Sequence, residues 1–151
     1  MNREKYELIP FFRGFPDEDL DHLLEFATEL DFSSGETIFQ QGNPGRELFV
    51  ISAGSVRFDH TGKDGQKHHL STARFGEVFG ELAFLQPQAR AATASAVEKT
   101  SLLCFQKAEI QKLLDLYPSL AAAFYHAVAL ELAKRLRDSV SRQPTYIPRT
   151  D

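Results

Sequence analysis

The spacing of apolar residues changes character three times along the chain. Over residues 1–30 it is helical. Pro16-Asp17-Glu18-Asp19 is a proline-led, acidic first turn, and Leu20, Leu23, Leu24 and Ala27 follow at the spacing that buries one face of a helix. His22 falls on the opposite, exposed side. Tyr6, Leu8 and Ile9 lie before Pro10, which ends or bends a first helix. Over residues 31–106 the period drops to that of short strands, and turn signals separate the runs. Ser33-Ser34-Gly35 and Gly42-Asn43-Pro44-Gly45 precede two of them, the second opening on the apolar run Leu48-Phe49-Val50-Ile51. Val56-Arg57-Phe58-Asp59-His60 alternates apolar and polar, and Thr61-Gly62-Lys63-Asp64-Gly65 is a hairpin tip returning the chain through residues 66–72. Residues 90–97 and 100–105 predict the closing strands.

Over residues 107–141 helical spacing returns. Residues 107–116 turn Ile110, Leu113 and Leu114 inward, and Pro118 starts a longer helix running to about Val140. Along it Phe124, Val128, Leu132, Leu136 and Val140 recur every four residues, so the stripe drifts by about 40° per step and its two ends face different neighbours. Residues 142–151, with Pro144 and Pro148, predict a loose tail. The whole predicts a mainly β protein with flanking helices, a β-roll or jelly-roll-like barrel between N-terminal helices and two C-terminal ones.

Composition narrows the function classes. A chain of 151 residues suffices for one domain with a buried core. Its net charge of -4 argues against general nucleic-acid affinity. The charged start Met-Asn-Arg-Glu-Lys-Tyr-Glu lacks the apolar core of a signal peptide, and no run approaches the roughly 20 apolar residues that span a bilayer. Cys104 is the single cysteine, inside Ser101-Leu102-Leu103-Cys104-Phe105, which predicts a small core residue in a reducing, cytoplasmic setting. The five histidines are scattered, and the adjacent His68 and His69 point to opposite faces of a strand, which speaks against a metal oxygenase site. A serine nucleophile would need a G-x-S-x-G frame, and the chain contains none. A non-enzymatic role is expected.

The candidate chemistry lies in Phe75-Gly-Glu-Val-Phe-Gly-Glu-Leu-Ala-Phe-Leu-Gln-Pro-Gln-Ala-Arg-Ala-Ala-Thr93. Gly80 lets a ligand approach the backbone. Glu81-Leu82-Ala83-Phe84-Leu85 is helix-prone, and the free amides at a helix start favour an anion. The Arg90 guanidinium can grip a phosphate with two parallel hydrogen bonds. A carboxylate beside that anion would repel it unless it served another group, and a sugar hydroxyl can donate to Glu81.

This pattern, Phe79-Gly80-Glu81-Leu82-Ala83-Phe84-Leu85 followed by Arg90-Ala91-Ala92-Thr93, resembles the phosphate-binding cassette of the cyclic-nucleotide-binding domain family, which includes the protein kinase A regulatory subunit and the bacterial catabolite activator protein. The G-x-x-G-x-x-x-F-V-I-x-x-G-x-V spacing of residues 42–56 resembles the same family's barrel signature, and the likeness covers about residues 11–140. The resemblance implies a ligand site made of Phe79, Gly80, Glu81, Leu82, Ala83, Arg90, Ala91, Ala92 and Thr93. Arg90 and the amides of Leu82, Ala83 and Ala92 would hold the cyclic phosphate, and Glu81 would accept from the ribose 2′-hydroxyl. Phe79, Val78 and Leu70 would wall the pocket. Ala91 stands where cGMP-preferring members often carry a hydroxyl, which tilts the expectation to cAMP, while Thr93 nearby blurs it.

The resemblance also implies a stand-alone sensor, without a DNA-reading or kinase module. Its long C-terminal helix would cap the ligand, signal to a separate effector protein, or form a homodimer. Two alternatives stay open. One is a fold that has lost its ligand and serves as an interaction module. The other is an enlarged pocket for a cyclic dinucleotide.

Overall fold

A computed structural model describes residues 3–141. The chain opens with two 3-10 turns, Arg3–Tyr6 and Pro10–Phe12, and helix α1, Asp17–Glu25. Strands β1 (Thr28–Phe32), β2 (Thr37–Phe39), β3 (Glu47–Ala53), β4 (Ser55–Thr61), β5 (Lys67–Arg74) and β6 (Val78–Phe79) follow. Then come α2 (Glu81–Leu85), β7 (Thr93–Ala96), β8 (Thr100–Gln106), α3 (Lys107–Leu116) and α4 (Pro118–Ser141).

The strands form two four-stranded antiparallel sheets, ordered β1-β8-β3-β6 and β2-β7-β4-β5. This is the expected β-roll, in which two sheets share an interior without closing into one ring. The central strands of the first sheet, β3 and β8, are buried on both faces. In β3, Leu48 and Val50 point to the helices while Phe49 and Ile51 point to the other sheet. In β8, Leu103 and Phe105 face the helices while Leu102 and Cys104 face inward. Burial on both faces is why these strands read as unbroken apolar runs rather than alternating ones. The second sheet has one wet face, and its β4 alternates accordingly, with Val56 buried and Arg57 exposed.

The helical layer packs around Phe124 of α4, which meets Phe11 at 6.2 Å and Phe84 of α2 at 5.5 Å between ring centres. The buried Asp19 of α1 accepts from the Ser119 hydroxyl at 2.6 Å and pins the start of α4. Both C-terminal helices lie where the sequence places them, but the buried residues of α4 end at Val128, and Leu136 is exposed.

Two expectations need correction. The helical segment expected over residues 1–30 is helix only in part, because Thr28, Glu29 and Leu30 already pair with Cys104, Leu103 and Leu102 of β8. Ladder hydrogen bonds from a distant strand override the local pattern there. His22 is not on an open face, since its ring stacks on Tyr117 at 4.6 Å. The tail expected at residues 142–151 lies outside the described residues. No helix among the described residues is long and apolar enough to cross a membrane.

Candidate functional site

A cavity of about 660 Å³ opens between the β4–β5 side of the roll, α2 and the far end of α4. Its wall is built first from glycine. Gly80 caps α2 with φ of 81°, a left-handed conformation that disfavours any side chain. A Cβ there would come within 2.7 Å of the Glu47 carbonyl and 2.9 Å of Arg90 Nη1. Gly45 is needed for a different reason, because its Cβ would lie 2.4 Å from Arg90 Nε. Both glycines leave room for one guanidinium.

That guanidinium is buried and held on several sides. Arg90 is 5% exposed and stacks over Phe39 at 4.3 Å. Its Nη2 donates to the Glu47 carboxylate at 2.8 Å and to the Glu47 carbonyl at 3.2 Å, and its Nη1 donates to the Gly80 carbonyl at 3.4 Å. Its Nε is buried with no partner among the described residues. Burial pulls the Arg90 pKa down, and Glu47 offsets part of that pull. Its backbone is clasped as well, since the Arg90 amide donates to the Asn43 carbonyl at 2.9 Å and the Gly42 amide donates to the Arg90 carbonyl at 2.8 Å. The glycine turn at residues 42–45 and the cassette, two separate motifs in sequence, are therefore one structure.

Glu81 is 2% exposed. Its carboxylate accepts from Nη1 of Arg135, which reaches down from α4, and Arg135 Nη2 donates to the Val78 carbonyl. This pair answers the electrostatic objection raised by a carboxylate beside an anion site, because the neighbouring cation neutralises it. One turn earlier on α4, Glu131 is half-buried. Burial raises its carboxyl above the usual range, Glu77 and Glu81 add to the rise, and Lys134 and Arg135 oppose it.

The structure brings Phe79, Gly80, Glu81, Leu82, Ala83, Arg90, Ala91 and Ala92 onto this cavity, together with Leu70. Thr93 does not line it, and its hydroxyl instead accepts from the Gln41 amide at 3.0 Å. Val78 is a correction. Its side chain joins the core on the helix side, as alternation along β6 requires once Phe79 faces inward, and it serves the site only through its carbonyl. Sequence reasoning missed Glu47, Gly45 and the specific role of Arg135. The buried Cys104 thiol, pushed up to about 11 mainly by burial, is a core residue.

The chain matches the family model described as "Cyclic nucleotide-binding domain" over residues 29–117. It is 35% identical over 130 residues to the Cyclic AMP receptor protein of Thermus thermophilus, covering 86% of this chain and 58% of that protein. It is 25% identical over 108 residues to the cAMP-dependent protein kinase regulatory subunit of Blastocladiella emersonii, covering 72% of this chain and 27% of the relative. The chain thus spans less than two thirds of either. Among solved structures, the Thermus thermophilus catabolite activator protein superposes with a TM-score of 0.73 at 35% identity, over 86% of this chain and 59% of the other. A cyclic nucleotide-binding domain from Methylobacillus flagellatus reaches 0.87 at 18% identity over 99% and 88%, a likeness of fold alone. The chain belongs to the cyclic nucleotide-binding domain family.

Proposed function

We propose that this protein is a sensor that binds a cyclic nucleotide, cAMP in preference to cGMP, and reports binding through α3 and α4 to a separate effector protein. One observation carries the reading. A buried arginine with an unused Nε–H and a buried carboxylate line the same cavity, 660 Å³ in volume, a size suited to a small ligand. Arg90 holds the cyclic phosphate, joined by backbone amides of Leu82, Ala83 and Ala92. Glu81 accepts from the ribose 2′-hydroxyl. The exposed leucines Leu70, Leu82 and Leu136, from three different elements, offer the base an apolar slot. Ala91 has no hydroxyl to meet a guanine amino group, which favours adenine, as does the likeness to a cyclic AMP receptor.

The relay rests on Arg135, which links α4 directly to the carboxylate that reads the sugar. A ligand moves that helix only through its differential affinity for the two helix positions. The effector reads residues 129–141, and a second copy of the chain along the same helix is the other occupant, which sizing with and without ligand distinguishes. The single buried thiol suits a cytoplasmic setting.

The test is calorimetric titration of cAMP and cGMP into the purified protein and into Arg90→Ala. Removing one partner of a buried charge pair costs about 2–5 kcal/mol, so the variant should bind at least roughly 30-fold more weakly. A change below threefold refutes the phosphate role. A second reading, an interaction module with a lost or changed ligand, is favoured by one observation: both site charges already have partners within the chain, Glu47 and Arg135. Well-folded, ligand-free protein that binds neither nucleotide would establish that reading instead.

A further inference from the structure

Arg135 has two carboxylates within the reach of its side chain, and only one is explained by the site. Glu81 holds it in this structure. Glu131 lies four residues before it on α4, the spacing and order at which a glutamate and an arginine pair best along a helix. Yet the Glu131 carboxylate makes no hydrogen bond or ion pair among the described residues, although the residue is half-buried. The charged groups facing it are Lys134 and Arg135 on its own helix, Glu77 on the turn between β5 and β6, and Glu81 on α2. Two of these four repel it. Ionised Glu131 would be relieved if Arg135 swung back along the helix, and Glu81 would then face an incoming anion without its counter-ion.

We infer that Glu131 is a positioning residue that competes with Glu81 for the Arg135 guanidinium, and so sets how firmly α4 holds the ligand cavity in its binding-competent form. The inference rests on the cyclic-nucleotide reading of that cavity for its effect on affinity, but not for the competition itself. Its sign follows from charge. Neutral Glu131 leaves Arg135 to Glu81, whereas ionised Glu131 draws it away. The raised carboxyl of Glu131 titrates above the ordinary glutamate range, so ligand affinity falls as pH rises through that interval.

The experiment compares wild type, Glu131→Gln, Arg135→Gln and the double variant between about pH 5 and pH 8. It reads cAMP affinity by titration and amide exchange over residues 129–141. Glu131→Gln should bind cAMP about two- to threefold more tightly at pH 8, as expected for the loss of one competing helical pair, and its profile should flatten. Exchange over residues 129–141 should slow in Glu131→Gln. In the Arg135→Gln background the same substitution should change neither. A wild-type profile retained in Glu131→Gln, or an effect that survives without Arg135, overturns the inference. If wild type binds no nucleotide, the sensor reading fails. Exchange then decides the competition alone: unchanged rates in Glu131→Gln overturn it, and slowed rates that depend on Arg135 uphold it.

Discussion

Residues 118–128 and residues 129–141 are one continuous helix, α4, but different forces hold its two halves. The first half buries Leu120, Phe124, Ala127 and Val128 and is pinned at its start by Asp19. The second half contains no fully buried residue: Leu132 packs partly on the core, and beyond it the tie to the roll is the Arg135 guanidinium on Glu81 and Val78. Apolar burial is diffuse and insensitive to what fills the cavity. An ion pair made on a cavity carboxylate responds to any ligand that uses that carboxylate. Under the proposed sensing role, the division assigns stability to one half and signalling to the other, without a break in the helix between them.

Removing Phe124 attacks the first half and should have the largest effect. It is fully buried and touches three aromatic neighbours, so Phe124→Ala should cost about 3–5 kcal/mol, read from the denaturant midpoint of the whole domain. Arg135→Gln attacks the second half. The guanidinium is 43% exposed and water can replace part of what it gives, so global stability should fall by only about 1 kcal/mol. Amide exchange over residues 129–141 should rise while residues 118–128 keep their protection. Equal loosening of both halves would show that α4 moves as one rigid piece. Leu136→Ala should be the mildest. With the side chain 65% exposed, stability should move by no more than about 0.5 kcal/mol, and any weakening of cAMP binding would then report the base slot rather than the fold.

The same contrast explains what was legible in the sequence. Strand and helix patterns with local causes could be read directly: the Asp-Gly hairpin between β4 and β5, the proline start of α4, the inward faces of α1 and α3. The cassette was legible because its parts lie within fifteen residues of one another. Glu47 and Arg135 were not, because they meet Arg90 and Glu81 across 43 and 54 residues and no local pattern encodes such a meeting. Gly45 could be read as a turn residue, but its role in leaving room for Arg90 appears only when the two motifs are seen packed together. The start of β1 inside a helical pattern failed for a related reason, since its partner β8 lies some seventy residues away.

The point where burial stops on α4 also acts as a fulcrum. Measured from Val128, the last fully buried residue, Arg135 lies about 10 Å along the axis and Ser141 about 20 Å, at 1.5 Å per residue. A displacement of the guanidinium therefore arrives at the end of the helix with about twice its amplitude, provided the helix stays straight. Lengthening the arm beyond Ser139, the last residue that lines the cavity, would raise that gain and leave the lining as it is, so the mechanical ratio of the proposed sensor can be adjusted independently of what it binds.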